Sequence, residues 1–195
     1  MKFLIALLFT LFSLCVFSQS KHEDGPFKEY YENGNLKREG FYKDNIRRAA
    51  WKEYYKSGNL NRVYLYDAKG NLTGVRKRYY EQGNLLSETN KSKIGGLLTT
   101  YYYQNGNLQR VYNLMPTGKG KGFSKAGEYR AFYENGNIKV VSGYSKNELV
   151  GVWKKFYPTS ELEWEVGYSI GYKQGIYKQF YKNGKIKILI ISTQI

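Results

Sequence analysis

Basic side chains that recur at one fixed spacing are the residues of this sequence best able to act on a partner. Each lies six positions before a glycine, or before the serine that once replaces it, in a segment repeated seven times. The six are Lys28, Lys52, Lys77, Arg130, Lys154 and Lys178, and Thr100 takes this position in the fourth copy. A row of like charges attracts acidic surfaces, anionic glycans and lipid head groups. Alternatively, the lysine stems cover neighbouring rings while the charged ends solubilise the surface.

Two aromatic residues follow each basic position. The residue four positions before the glycine is Tyr or Phe in all seven copies, and the next residue is always Tyr. The first set is Tyr30, Tyr54, Tyr79, Tyr102, Phe132, Phe156 and Phe180. Because alternate strand residues share a face, this set completes a candidate binding face with the basic row, and the other tyrosines lie on the opposite face. We interpret both ladders mainly as rings stacked between copies.

Few residues support catalysis or metal binding. The chain has one Cys and one His, which excludes disulfide frameworks, Cys-based or multi-His metal sites and most catalytic triads. Glu39, Glu88 and Glu165 recur five positions after the glycine but predict no close carboxylate pair of the kind glycoside hydrolysis needs. His22 is expected in a solvated N-terminal tail. We therefore predict that the protein is not an enzyme and uses no cofactor and no metal.

The spacing of the copies indicates the fold. The turn positions are 34, 58, 83, 106, 136, 160 and 184, so that successive copies are 23 to 25 residues apart except for one interval of 30. Asn-Gly at four of these positions is typical of type I′ hairpin turns, and no segment after Ser20 has helical periodicity. The sequence therefore predicts an all-β fold, an elongated single-sheet antiparallel meander of about seven stacked β-hairpins. The twisted ribbon would have about 14 strands and a length of roughly 65 Å.

The third and fourth copies depart from the pattern. Seven positions before the glycine, five copies carry an aromatic residue, but these two carry Arg76 and Thr99. The long interval that follows holds a Gly-Lys-rich insertion near 115–122. The insertion lacks the residue order and the following helix of a phosphate-binding loop. We predict a mobile basic loop there, which is a contact point or a bend between copies.

Segments such as Gly151-Val152-Trp153-Lys154-Lys155-Phe156-Tyr157 resemble the MORN repeat, as do those that start at Gly127 and Gly175. The Tyr-x-Asn-Gly-x-Leu ending is similar to the bacterial variant of this repeat, found in the YwqK family of antitoxins. The resemblance covers essentially all of residues 26–191. It implies an antiparallel hairpin ribbon and, for the broader family, binding of protein or phospholipid.

The N-terminus is typical of a signal peptide. Lys2 precedes an apolar run that is short for a membrane span, and cleavage is expected near Ser18 and Gln19. We predict a signal peptide over 1–18, a polar linker over 19–25, the repeat array over 26–191 and a tail over 192–195. A membrane anchor and, through Cys15, a lipoprotein are the alternatives. Export to the periplasm, the outer envelope or the medium follows, with no transmembrane span after cleavage.

The last strand, residues 186–191, is apolar on both faces. Such an edge caps the array against a returning segment or pairs with a second copy to form a homodimer. For the whole chain, whose formal net charge is +15, we predict an exported scaffold that binds a protein or an anionic envelope component through the basic and aromatic face. Export argues against nucleic acid as a partner. The alternative is a YwqK-like antitoxin or immunity-type protein that neutralises a toxin by direct binding.

Overall fold

The computed structural model describes residues 22–118 and 122–192, and all regular structure in these ranges is β-strand. The signal peptide predicted over 1–18 lies outside the described residues, as do 119–121 of the insertion and 193–195 of the tail. The strands are β1 Gly25–Tyr30, β2 Leu36–Lys43, β3 Ile46–Tyr54, β4 Leu60–Tyr66, β5 Leu72–Tyr79, β6 Leu85–Lys91, β7 Leu97–Tyr102, β8 Leu108–Pro116, β9 Phe123–Phe132, β10 Ile138–Ser145, β11 Glu148–Phe156, β12 Leu162–Ser169, β13 Tyr172–Phe180 and β14 Ile186–Ser192.

These strands form one open sheet in which the spatial order is the chain order, β1 to β14. Every neighbouring pair is antiparallel. The predicted all-β meander of stacked hairpins is therefore confirmed. No helix that could cross a membrane occurs in the described ranges.

The hairpin turns differ from the predicted type I′ geometry. In the first copy the Gly34 N–H donates to Tyr31 O and the Tyr31 N–H donates to Asn35 O. Gly34 has a φ of 85°, whereas Asn33 is not among the residues with positive φ. Type I′ needs positive φ at both turn residues, so the prediction was wrong. The turn is a four-residue type I turn closed by a left-handed glycine.

All seven copies share this turn, including the sixth, where Ser160 takes the glycine position with a φ of 82°. Type I′ turns occur at the opposite edge of the sheet instead. There Asp44 and Asn45 have φ values of 53° and 59°, and Lys146 and Asn147 have values of 50° and 74°. The turns at 67–71 and 92–96 on this edge instead repeat the hydrogen bonds of the first copy's turn, so the opposite edge contains both turn types.

The two faces of the sheet differ in packing. We call the face that carries the predicted basic row the basic face and the opposite one the aromatic face. On the aromatic face, Trp51 lies between Phe27 and Tyr42, with ring centroids 5.5 and 4.9 Å away, and is 2 % exposed. Further along, Trp153 stacks on Trp164 at 3.6 Å. The core of this thin sheet therefore lies along the aromatic face.

Tyrosine hydroxyls connect each copy to the next. The Tyr that directly follows the candidate aromatic residue donates to a backbone carbonyl one copy further on, over 2.7 to 3.0 Å. The donors are Tyr31, Tyr55, Tyr80, Tyr103, Tyr133 and Tyr157. The Asn after the turn glycine adds a parallel bond in five copies, for example from Asn137 Nδ2 to Pro158 O. We call this row of bonds the turn clasp.

The turn clasp predicts different effects for two equivalent substitutions. Tyr133→Phe removes a 2.7 Å hydrogen bond to Phe156 O, so we expect the free energy of unfolding to fall by about 1 kcal/mol. Tyr181→Phe is the matched control, because among the described residues the Tyr181 hydroxyl donates no such bond and the residue is 50 % exposed. Urea denaturation followed by circular dichroism measures both, and equal losses would contradict the clasp.

Candidate binding face

The predicted basic residues lie on one continuous line across the whole sheet. Each strand contributes one residue, and each residue is the register partner of the next. From β1 to β14 the line is Lys28, Glu39, Lys52, Val63, Lys77, Glu88, Thr100, Val111, Arg130, Val141, Lys154, Glu165, Lys178 and Leu189. Six basic side chains thus alternate with three glutamates and with apolar residues.

At the N-terminal end of this line, Glu39 lies between two lysines. Lys52 Nζ is 3.0 Å from Glu39 Oε1, and the Tyr54 hydroxyl donates to the same oxygen at 2.7 Å. The hydrogen bonds from Tyr54 and Lys52 lower the pKa of the Glu39 carboxyl. Burial and this carboxylate raise the pKa of Tyr54 to about 12. Lys52 and Tyr54 therefore share a face, as their spacing predicts, and an acid holds them together.

The same arrangement recurs at the C-terminal end. Glu165 is 3.8 Å from Lys154 Nζ and 3.4 Å from Lys178 Nζ. The lysine side chains are 44 % and 35 % exposed, against 22 % for the glutamate. The carboxylate is thus recessed between two cations whose ends reach solvent. Arg130 is held by Glu128 at 2.8 Å, outside the line.

Apolar side chains lie beside this charged line. Each lies two residues along its strand from the charged line, on the side away from the clasped turns. These side chains are unusually exposed for large hydrophobic residues. They are Phe41, Leu65, Leu98, Val152, Ile176 and Ile191, with exposures of 36 to 65 %. We call them the apolar row. This row was not predicted, although part of its signal is present in the sequence: Val152 and Ile176 lie two positions before Lys154 and Lys178.

The two rows meet in a shallow depression. Val152, Lys154, Glu165, Gly167 and Ile176 line about 300 Å³ of space that is open to solvent. Gly167 is required here, because a Cβ atom on it would lie 2.3 Å from the backbone oxygen of Gln174. Val152 and Ile176 supply the apolar part of the lining, beside Lys154 and Glu165. Such a surface suits a protruding side chain of a partner rather than an enclosed small molecule.

The aromatic residues of the basic face do not stack between copies as predicted. Tyr30, Tyr79, Phe132, Phe156 and Phe180 form no stacked ring pair in the described residues. These residues end their strands next to a register shift, which separates their rings. The stacked rings belong to the opposite face, around Trp51, Tyr112 and Trp153. The tyrosines that directly follow Tyr30 and its equivalents lie outside the strands and form the turn clasp.

His22 is also placed differently. Its ring stacks on Tyr42 at a centroid distance of 4.1 Å, and its backbone N–H donates to Asn45 Oδ1. The expectation of a solvated tail residue was wrong, because the aromatic cluster around Trp51 offers a flat ring for it to cover. Within residues 22–118 and 122–192, no group of three or more His, Cys, Asp or Glu is arranged to hold a metal ion.

Comparison with known families identifies five of the seven copies. The family described as MORN repeat variant matches residues 23–44, 49–71, 72–90, 125–146 and 173–191, which together make up more than half of the chain. The fourth and sixth copies lie between these segments, yet they have the same turn hydrogen bonds. A search among curated proteins found no match to the chain.

Proposed function

Because the chain belongs to the MORN repeat variant family, we propose that it is an exported, non-enzymatic scaffold whose basic face binds a partner protein. The observation that carries this proposal is the pairing of two rows on one exposed face. The charged line gives orientation and long-range attraction, while the apolar row supplies surface that gains free energy when covered.

A protein fits this face better than a polyanion does. Recessed acids such as Glu39 and Glu165 lie between the lysines, which weakens the attraction to a uniformly anionic glycan or lipid surface. A protein can instead place acids over the lysines and apolar side chains over Val152 and Ile176. An anionic envelope component remains the other outcome that the experiment distinguishes.

The test compares two variants of equal charge. One replaces Lys28, Lys52, Lys154 and Lys178 with Gln. The control replaces four exposed lysines of the turns, Lys56, Lys69, Lys93 and Lys146, with Gln. Each protein is immobilised and exposed to an envelope extract, and retained material is released by a salt gradient.

We expect the first variant to bind the captured protein at least about tenfold more weakly, since each lost charge contact is worth some tenths of a kcal/mol. The control should bind like wild type, and melting temperatures should show that both variants fold. Equal retention by the two variants would refute the basic face. Retention of anionic glycan or lipid with no captured protein would show that the face binds an anionic envelope component instead of a protein.

An antitoxin or immunity-type role is the second candidate, and the same face favours it. A long, flat surface of mixed charge and exposed apolar residues is suited to covering a protein such as a toxin. A captured partner that arrests growth when produced without this chain, and is neutralised by it, would establish this role.

The exposed edge of the sheet adds a proposal about assembly. Among the described strands β14 pairs with β13 alone, and its Ile186, Leu189 and Ile191 are 51 to 65 % exposed. The other edge, β1, is short and contains Pro26, Lys28 and Glu29, which protect edges against pairing. We propose that β14 pairs with β14 of a second copy.

A further inference from the structure

A small pocket on the aromatic face collects arginines from the second and third copies and a tyrosine from the fourth. Arg62 and Tyr64 of β4, Arg76 and Arg78 of β5, Ser87 and Thr89 of β6 and Tyr101 of β7 enclose about 160 Å³. We call it the arginine pocket. It lies on the opposite side of the sheet from the basic face, because Arg76 and Arg78 flank Lys77 along β5.

The arginine pocket lies where a regular pattern of charge breaks. One line of register partners on the aromatic face begins Glu29, Arg38, Glu53, Arg62, with opposite charges on successive strands. The next member is Arg78 rather than an acid, and Ser87 and Tyr101 follow it. Arg62 and Arg78 are thus direct cross-strand partners of like charge, an arrangement that destabilises a sheet.

The protein does little to offset this repulsion. Arg62 lies 4.0 Å from the Glu53 carboxylate and donates a hydrogen bond to the Tyr64 hydroxyl. Among the described residues neither Arg76 nor Arg78 has an ion pair. The Nε atoms of Arg62 and Arg78 are buried without a hydrogen-bond partner. Buried donors without partners are costly and uncommon.

Hydroxyl groups form the floor of the pocket. Ser87 and Thr89 are 6 % and 2 % exposed, and Thr89 Oγ1 lies 3.2 Å from Thr99 Oγ1. On one side the Tyr101 ring is covered by the Arg110 guanidinium, 3.9 Å from the ring centroid. Convergent guanidinium and hydroxyl donors above a closed polar floor are the donor set that recognises oxyanions.

We propose that the arginine pocket binds the phosphate or sulfate group of a small ester. Three guanidinium groups and two hydroxyls offer more donors than the two oxygens of a carboxylate can use, whereas the terminal oxygens of a tetrahedral group match them. The space is below the roughly 300–1,000 Å³ of pockets that enclose whole drug-sized ligands. The charged group therefore enters, and the organic part of the ester lies outside, over the row of Tyr101, Tyr112 and Tyr129.

Thermal unfolding of the full chain in inorganic phosphate or sulfate, against chloride of equal ionic strength, tests this pocket. We expect both anions to raise the melting temperature, because a ligand that binds only the folded state stabilises it. Arg76→Gln/Arg78→Gln should lose this shift and bind phosphate at least about tenfold more weakly by calorimetry. Without ligand it should melt at or above the wild-type temperature, since like-charge repulsion is relieved.

Lys69→Gln/Lys93→Gln is the control, because it removes the same charge from exposed turns and should keep the full shift. If the double arginine variant does not fold, Arg78→Gln alone takes its place, and a full phosphate shift in that variant overturns the proposal. A shift absent from wild type, or equal in the arginine variant and the control, would also overturn it.

Glucose 6-phosphate and vesicles that contain phosphatidic acid separate a soluble ester from a lipid head group as the source. Because the pocket is on the other face, failure here leaves the proposed protein-binding role untouched.

Discussion

Gly40→Ala should destabilise the protein by about 3 kcal/mol, a large loss for the addition of one methyl group. A Cβ atom at Gly40 would lie 2.2 Å from Cδ2 and Cε2 of Trp51. The indole cannot move away easily, because Phe27 and Tyr42 hold its two sides and Arg47 lies 4.5 Å from its ring. The strain therefore falls on the core of the first two copies.

A double-variant cycle isolates this contact. In a Trp51→Leu background the clash is gone, and Ala is less costly than Gly in a strand. We expect Gly40→Ala to be neutral or stabilising there, so that the coupling free energy between the two positions is about 3 kcal/mol. Urea denaturation by circular dichroism measures the four proteins. The same loss in both backgrounds would show that Gly40 is needed for a reason other than Trp51.

The second large effect concerns assembly. We expect the wild-type chain to sediment as a dimer and Leu189→Lys/Ile191→Lys to sediment as a monomer. In an antiparallel pair of β14 strands, the introduced lysines of the two copies would lie close to one another across a two-fold axis. Charged residues, lysine above all, block edge-to-edge pairing. Both positions are already more than half exposed, so the monomer should keep its stability.

Val152→Lys/Ile176→Lys is the matched control for the dimer. These residues belong to the same face and are 52 % and 47 % exposed, but they lie on β11 and β13, inside the sheet. This variant should remain a dimer. A wild-type monomer at all concentrations, or equal dissociation of both variants, would exclude pairing through β14.

Much of the fold was predictable because the regular spacing of the repeated residues is visible in the sequence. Glycines such as Gly34 and Gly106 mark one edge of the sheet, and the aromatic and basic residues before them place the strands. The turn type was not predictable from Asn-Gly, because this dipeptide fits two geometries. In the observed one, Asn33 keeps a negative φ and its side chain accepts a hydrogen bond from the Asn35 N–H.

The row of basic residues on the candidate face was predictable, but the ion pairs between them and the glutamates of neighbouring strands were not. Parity along each strand places Lys52 beside Tyr54, yet the acid between Lys154 and Lys178 comes from β12 and depends on register across strands. Register also hides the arginine pocket, since Arg62, Arg76 and Ser87 come from three strands. Its signal in the sequence was the departure from the repeat at Arg76 and Thr99.

The strictly sequential order of the strands bears on how the molecule is made. Each strand needs only the one before it, so no contact waits for a distant part of the chain and loop-closure entropy stays low. Units of such an array can order one after another as the polypeptide is synthesised or emerges from a channel. The hydroxyl of each clasping tyrosine points forward, to the next copy, so every newly arrived hairpin meets a donor already in place. We therefore expect the array to order directionally as it is made, from β1 towards the apolar strand β14.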